Sequence, residues 1–474
     1  MMDRNENFSR LKHLYNRAGF GAAYMDLLRL SKKKIDNAVE ELLKMPDLPP
    51  DLTTVTFDGF KQEQLLLGGL KKKMMLSPEQ KMERVQITRT RFGNSRQLNV
   101  DWMLRLTDTD YPLLEKMTLF WHGHFACRSD IPYFSMQLNN VQRANALGNF
   151  RTLLIAVSKT PAMLQYLNNQ QNRKGHPNEN FARELMELFT IGRGNYTEDD
   201  VKESARSFTG WKFDEDGNFL FNTKLHDAQN KTFFGYTGAF DGEAIIDMIL
   251  KKPATATFIC RKLYIFFVND LPDEGHVKEL AAHFYAHDYD IREVLRKLFT
   301  AEWFYAKENV GNKIKSPVEL LTGLSKRFYV KYAQPEVLVR LESSLGQYLF
   351  NPPNVAGWAG GRSWIDSSSL MLRLRLPSLM LNNGRIDFEG RGDPEDEALI
   401  ALNGKKKVAN VDMEATADWS RFMATLPKGM KQAELAAFIL APPLNSMVND
   451  VVIRNTNLKN VVVVLTSMPE YQLC

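Results

Sequence analysis

The sequence predicts a mainly α fold: one large multi-helix unit, 1–474, with long Gly/Pro/Trp-rich loops and little strand. Apolar residues recur at every third or fourth position through most of the chain, the spacing that gives a helix one buried face. Strand signals are sparse, and the segments 209–240 and 350–368 are punctuated by glycine and proline, which favour turns. We therefore expect one mostly helical domain.

The helices of this domain are expected in three successive parts. The N-terminal helical part, 1–110, begins with two helices around the turn of Gly19 and Gly21. The motif-bearing helical core is 111–330, and the C-terminal part, 331–474, combines a Trp/Gly loop with closing helices. The strongest helical patterns lie at 60–106, 113–121, 134–157, 178–190, 198–208, 242–250, 254–268, 275–286, 290–304 and 315–330.

Composition bounds the class of protein. Hydrophobic residues at 44% and charged residues at 25% are typical of a globular chain, and the net charge of +5 is too small to predict specific nucleic-acid binding. Three scattered cysteines without a CxxC pair give neither a disulfide framework nor a thiolate zinc site. No transmembrane segment is predicted. Because the polar N-terminus lacks the apolar core of a signal peptide, a cytoplasmic location is expected, with an extracytoplasmic one left open.

A pair of histidines at the end of the helix predicted at 113–121 is the first candidate for chemistry. His122 and His124 stand in the motif FWHGHF, and Gly123 is a position at which the helix can break and turn both rings toward one point. Neutral imidazole binds zinc, iron, copper and nickel, so both rings are candidate metal ligands. The alternative is structural hydrogen bonding among aromatic neighbours.

The acidic helix at 178–190 is the second candidate. Glu184 and Glu187 are i, i+3 neighbours, and carboxylates in such a place can share a cation or act as acid and base. Arg183 is a candidate clamp for an anionic group. The alternative is a capped surface helix, because Glu179, Arg183 and Glu187 follow an i, i+4, i+8 spacing that also suits ordinary ion pairs.

Two loops supply the remaining candidates. The adjacent His226 and Asp227 could complete a metal site or act as a base and its orienting carboxylate. Trp358, Arg362 and Trp364 could form an aromatic binding platform, although packing of their loop onto the core is the other interpretation.

Several familiar active-site motifs are missing from the sequence. It has no GxSxG elbow, no GxxxxGK[ST] phosphate loop, no GxGxxG and no HExxH, so it does not predict an α/β-hydrolase, a nucleotide hydrolase or a zincin. His176, His276, His283 and His287 show no partner pattern, and the last three are interpreted as surface residues of helices.

The motifs together resemble the bacterial family called domain of unknown function 1800. The matching segments are HLYNRAGFG at 13–21, FWHGHF at 120–125, HPNENFARELMELFTIG at 176–192, YTEDDVKESARSFTGW at 196–211, LHDAQNKTFFG at 225–235, KSPVELL at 315–321 and NPPNVAGWAGGRSWI at 351–365. The resemblance implies a single large helical unit and no particular reaction. Members are often encoded beside sulfatase-like proteins, which makes such a protein a candidate partner. Many members carry export signals, whereas this sequence shows none.

Three functional hypotheses follow from these observations. The leading one is a hydrolase assisted by a divalent metal, in which His122 and His124 are ligands, His226 or Asp227 completes the site, and Glu184 or Glu187 is the acid–base group. Its substrate would be an extracellular or envelope-derived polymer, an expectation that comes from the resemblance alone. The second is a non-catalytic helical scaffold that docks a sulfatase-like partner, and the third is a haem or redox protein. The first hypothesis requires the motif side chains to meet in one pocket.

Overall fold

The computed structural model describes residues 4–71, 77–382, 385–386, 413–454 and 457–474. Within these ranges the chain forms 22 α-helices and seven short strands, so the predicted mainly α fold is confirmed. One large cluster of buried apolar side chains runs from Leu11 to Tyr471 and draws on all three predicted parts. None of the described helices is both long enough and apolar enough to cross a membrane.

The N-terminal part forms a layer of helices joined by short turns. The helix α1 ends where the backbone N–H of Gly21 donates to the carbonyl of Tyr15 (3.0 Å), and a Ser77 capping box opens α5. Residues 72–76 of the stretch predicted as helical at 60–106 lie outside the described residues. The helices are α1 (Arg4–Ala18), α2 (Tyr24–Leu30), α3 (Ile35–Leu42), α4 (Phe57–Lys71) and α5 (Pro78–Thr107).

The central part contains half of the described α-helices and two β-hairpins. The stretch predicted as one helix at 134–157 is two helices, because Asn149 leaves the helical conformation and caps the second one. The helices are α6 (Pro112–His124), α7 (Pro132–Asn145), α8 (Phe150–Ser158), α9 (Pro161–Tyr166), α10 (Asn180–Glu184), α11 (Glu198–Ser207), α12 (Gly242–Leu250), α13 (Pro253–Phe267), α14 (Glu274–Ala286), α15 (Ile291–Thr300) and α16 (Pro317–Phe328).

The predicted loop at 209–240 carries the two hairpins. In the first, β1 (Trp211–Phe213) pairs antiparallel with β2 (Phe219–Phe221). In the second, β3 (Lys231–Phe233) pairs with β4 (Tyr236–Gly238). The first hairpin packs against α9 and the second against α11, so the aromatic residues of this segment extend the core.

The C-terminal part closes the same core from the other side. A three-stranded antiparallel sheet in the order β5-β7-β6 joins this part to the end of α16. The elements are β5 (Lys331–Tyr332), α17 (Val337–Leu345), α18 (Ser367–Leu381), β6 (Arg385–Ile386), β7 (Met413–Thr416), α19 (Trp419–Ala424), α20 (Gln432–Ile439), α21 (Ser446–Arg454) and α22 (Leu458–Thr466).

Candidate functional site

The helix α6 does not break at Gly123 but continues to His124, and this decides where the two predicted metal ligands point. Residues two apart on a helix are about 200° apart around its axis. His122 is buried against Trp102, and its Nε2 accepts the backbone N–H of Phe350 (3.1 Å), which assigns the proton to Nδ1. Burial lowers the pKa of this imidazole to about 3, so the ring is neutral.

His124 faces a different set of elements. Its Nδ1 accepts from Nζ of Lys262 on α13 (3.2 Å), and its Nε2 donates to the backbone carbonyl of Phe189 (3.0 Å). Burial and the Lys262 charge hold the pKa of His124 well below its usual value. In each histidine the nitrogen that could bind a metal already accepts a hydrogen bond, and the two rings do not converge.

His226 and Asp227 fasten their loop to the end of α11. The ring Nδ1 of His226 lies 2.9 Å from the carbonyl of Thr209, and the carboxylate of Asp227 accepts from Nε of Arg206 (2.8 Å). Among the described residues, neither joins His122 or His124 in a group of three potential ligands. The structure therefore does not assemble the metal site predicted from these four residues.

The acidic helix changes its geometry after Glu184. Residues 185–190 form a π-helical turn, in which the N–H of Ile191 reaches the carbonyl of Met186 (3.1 Å). The wider turn shifts the register, so Arg183 pairs with Glu198 through two contacts of 2.8 Å and with Glu179, and not with Glu187. Arg183 therefore belongs to a surface ion-pair network, and its guanidinium is occupied by Glu179 and Glu198 instead of being available to clamp an anion.

The two predicted acid–base carboxylates lie beside each other on this helix. Glu187 pairs with Arg193 (2.6 Å) and accepts from the Tyr196 hydroxyl (3.3 Å). Partial burial, and then the charge of Glu187, raise the pKa of Glu184. His124 contacts the same helix through the backbone carbonyl of Phe189 and not through either carboxylate.

The Trp loop packs on the end of α6. A Cβ placed at Gly357 would lie 2.5 Å from the carbonyl oxygen of Gly123, so only glycine permits this approach. The Trp358 ring lies 5.7 Å from the His122 ring, and Trp364 is buried. Arg362 is exposed. The loop thus covers His122 by packing, and two of the family-like motifs meet here.

A large concave site lies elsewhere, at segments for which the sequence predicts no functional role. A cleft of about 920 Å³ opens between the loop after α1, residues 108–112 and the end of α16. Ligand pockets usually have about 300–1,000 Å³. Its wall mixes acidic and basic side chains, which are Asp26, Arg29, Glu41, Lys44, Asp108, Asp110, Lys326, Arg327, Lys331, Asp418 and Arg421.

A smaller inner cavity adjoins this cleft. Phe20, Gly21 and Arg327 line both spaces. Gly21 has φ +88°, and a Cβ there would lie 3.0 Å from Nη2 of Arg327, so the glycine allows the guanidinium to sit between the two spaces. The other inner-cavity residues are Asn16, Gly19, Lys315, Glu319, Gly323, Tyr471 and Cys474.

The sequence KSPVELL explains how one acidic residue is placed in this cavity. Ser316 and Glu319 form a capping box at the start of α16, with the Glu319 carboxylate accepting the backbone N–H of Ser316 (2.7 Å). The same carboxylate is ion-paired with the buried Lys116. Close by, Lys313 pairs with Asp270 (2.5 Å). Two of the cations around the cavity are therefore neutralised.

Four further cations, Arg17, Lys315, Arg327 and Arg373, form no ion pair within the described ranges. The basic cluster is defined here as these four side chains. Lys315 donates to the carbonyl of Tyr471 (2.6 Å), and Arg327 to that of Ile439 (3.1 Å). A negative group at Cys474 contributes to the field at Arg17 and Lys315. The cluster still carries an excess of positive charge.

Two members of the basic cluster are almost completely enclosed. Arg17 is 2% exposed and Arg373 is 0% exposed. Arg17 donates from Nη2 to Asn309 and Asn312 (both 2.7 Å), whereas its Nε and Nη1 have no hydrogen-bond partner. In Arg373 the Nε and Nη2 atoms lack one. Burial lowers the pKa of Lys315 to about 7 and that of Arg373 to about 10, because the charged forms are poorly solvated.

This architecture defines a large, mainly helical protein with a polar cleft that leads to a buried basic cluster. The family model described as "Protein of unknown function (DUF1800)" matches residues 13–473, nearly the whole chain, and the chain belongs to that family. Neither the curated proteins nor the solved structures contain a match.

Proposed function

We propose that the protein binds a small molecule bearing an oxyanion group, a phosphate, sulfate or carboxylate, in the cleft, with that group at Arg327, where the cleft adjoins the inner cavity. The observation that carries this proposal is the positive charge at the inner cavity, where Lys315 and Arg327 line the wall and form no ion pair within the described ranges. Arg17 and Arg373 do not line the cavity, but their enclosed charges act on its residues Glu319 and Lys315. An anion beside Arg327 would be held by charge-assisted hydrogen bonds.

The cleft supports a ligand larger than a bare anion. Its wall carries acidic and basic side chains in nearly equal number, which suits a polar ligand with hydroxyl or amide groups. Arg327 lies at the junction of the cleft and the cavity, where one guanidinium can contact the anionic group of a ligand that extends outward.

The hydrolase hypothesis, in which a divalent metal is held by His122, His124, His226 and Asp227, receives no geometric support from those residues. The scaffold hypothesis has one supporting observation: His122 and His124 each tie α6 to another segment through neutral, buried hydrogen bonds. A sulfatase-like partner stays a prediction from the family resemblance. The haem or redox hypothesis rests on the same two rings, whose acceptor nitrogens are engaged.

The test is an anion titration of the purified protein. Thermal unfolding is followed against inorganic sulfate and phosphate, and against acetate as the carboxylate probe, at constant ionic strength. A specific site gives a saturable rise in Tm, because ligand binding stabilises the folded state by RT ln(1 + [L]/Kd). Removal of one charge-assisted contact in Arg327→Met should weaken binding by about 10-fold or more.

Two control variants remove the same charge elsewhere. Arg421→Met changes the rim of the cleft, where the guanidinium stacks on Tyr329 (4.0 Å), and Arg193→Met changes an exposed ion pair. Both should bind the anion as the wild type does. A rise in Tm that does not saturate and is equal in all four proteins would be a general salt effect and would refute the proposal.

A further inference from the structure

Three potential metal ligands meet at the surface turn between α14 and α15. His283 and His287 stand four residues apart, on one face of the chain at the end of α14, and Glu293 lies in the first turn of α15. One ligand atom from each side chain lies within 4.8 Å of the others. Within the described ranges this is the one such group of three histidine, cysteine or acidic residues.

We propose that His283, His287 and Glu293 form a binding site for a divalent transition metal, with Zn²⁺ as the ion that the donor set fits. Two imidazoles and one carboxylate are ligands that zinc accepts, and a three-ligand site leaves a fourth position for water. The site is separate from the basic cluster and does not depend on the proposed anion binding.

Hydrogen bonds already select the ligand atoms. The Nδ1 of His287 lies 2.8 Å from the carbonyl oxygen of His283, so Nδ1 carries the proton and Nε2 presents its lone pair. In the carboxylate, Oε1 of Glu293 is held by Arg296 (2.5 Å), whereas Oε2 faces Nε2 of His283 at 3.9 Å. Such second contacts orient ligands in metal sites.

The backbone that carries the three ligands is held by the core. Phe284 and Tyr289, on either side of the turn, are buried, and the Tyr289 hydroxyl donates to the carbonyl of Leu250 (2.6 Å). Asp288 and Tyr289 both have positive φ, which closes the turn tightly. The spacing between the two helices is thus fixed, while the ligand side chains themselves reach solvent.

The ligand side chains need to move only a short distance to reach the geometry of a zinc site. Ligand atoms about 2.1 Å from a tetrahedral zinc are about 3.4 Å apart. Nε2 of His283 and Oε2 of Glu293 are 3.9 Å apart, and all three ligand atoms lie within 4.8 Å of one another, so no distance must contract by more than about 1.4 Å. The imidazole rings already lie with centroids 4.0 Å apart, and side-chain rotations at the surface can supply the rest.

The neighbouring charges permit a cation. Lys297 is ion-paired with Glu279 (2.6 Å), and Arg296 is shared between Glu293 and Glu40 (both 2.5 Å). Lys297 is therefore neutralised by another carboxylate, and Arg296 shares its charge between the proposed ligand Glu293 and Glu40.

The experiment is a Zn²⁺ titration against a chromophoric chelator, using the full chain. We expect one zinc per chain, with an affinity that falls at acidic pH because a protonated imidazole cannot bind a metal. The double variant His283→Gln/His287→Gln should lose binding by about 100-fold or more, and Glu293→Gln by about 10-fold. These side chains reach the surface, so the variants should fold, which circular dichroism checks.

A matched control comes from the same helix. His276 also stands on α14 but stacks on Trp303 with ring centroids 4.4 Å apart, so His276→Gln removes an imidazole without touching the three ligands. Its zinc affinity should equal that of the wild type. Stoichiometric binding that survives in the double variant, or a wild type that does not bind zinc at micromolar concentration, would overturn the assignment.

Discussion

Replacement of Glu342 by glutamine should stabilise the protein, and more at alkaline than at acidic pH. Glu342 on α17 is fully buried, and burial raises the pKa of its carboxyl group to about 8. Its Oε2 accepts from Nδ2 of Asn99 (2.9 Å) and from the backbone N–H of Leu349 (3.1 Å), but its Oε1 and Oδ1 of Asn99 have no partner. A proton on Glu342 removes a buried charge and supplies a donor.

The expected change in the free energy of unfolding follows from the raised pKa of Glu342. A group whose pKa is raised on folding gives its full stabilisation below the unfolded pKa and loses it as the pH rises through the folded pKa. For Glu342 this window runs from 4.5 to about 8. At about 1.4 kcal/mol per pKa unit the loss is of the order of 5 kcal/mol as an upper bound. Glutamine keeps the two hydrogen bonds at its carbonyl oxygen and has no charge to lose.

The assay is urea unfolding of the wild type and the variant, followed by tryptophan fluorescence at about pH 5 and about pH 8. The stabilisation by Glu342→Gln should be several kcal/mol larger at the higher pH. The control is Glu115→Gln, because Glu115 is also buried but is paired with Arg143 (2.7 Å), and breaking that pair should cost about 3–5 kcal/mol at both pH values. The reasoning fails if the difference between Glu342→Gln and the wild type is the same at both pH values.

Three further results are expected. Sulfate affinity in the proposed anion site should fall as the pH rises through about 7, where Lys315 loses its charge, as measured by calorimetric titration. Gly357→Ala should lower the free energy of unfolding by at least about 2 kcal/mol, because the added Cβ would meet the Gly123 carbonyl oxygen. Gly346 also has a positive φ but lies in open space, so Gly346→Ala should lower it by only about 1–2 kcal/mol. Urea unfolding of the two variants and the wild type measures the difference. Arg183→Met should change stability by less than about 1 kcal/mol, since it removes only a surface ion-pair network, and a larger loss in thermal unfolding would contradict its surface role.

The helical fold was accessible to sequence reasoning because helix periodicity and capping residues are local signals. The boundary at Asn149 was missed, although an asparagine cap is a local signal too. The π-helical turn at 185–190 could not be predicted in this way, because it depends on distant residues. Lys262 donates to the carbonyl of Leu188 (3.0 Å) and His124 to that of Phe189, and these partners take up carbonyl groups at the end of the helix.

The candidate site shows more clearly what sequence reasoning could not predict. His122 and His124 were paired on the assumption that Gly123 ends the helix, yet α6 continues through it and directs the two rings apart. The basic cluster could not be predicted because its members lie far apart in the sequence. Arg17 and Arg373 are separated by most of the chain, and each looks like an ordinary helix cation until its burial is known. The spacing of His283 and His287 was visible, but their third ligand lies on the next helix.

The shared core also bears on how the chain is made. Asn16, near the beginning, and Tyr471, near position 473 where the family match ends, both line the same cavity. During synthesis the N-terminal helices therefore emerge long before the residues that seal them. Contacts of such large sequence separation form late and slowly, and apolar surface stays open meanwhile. Helices α1 to α16 should consequently need protection by chaperones until α22 leaves the ribosome.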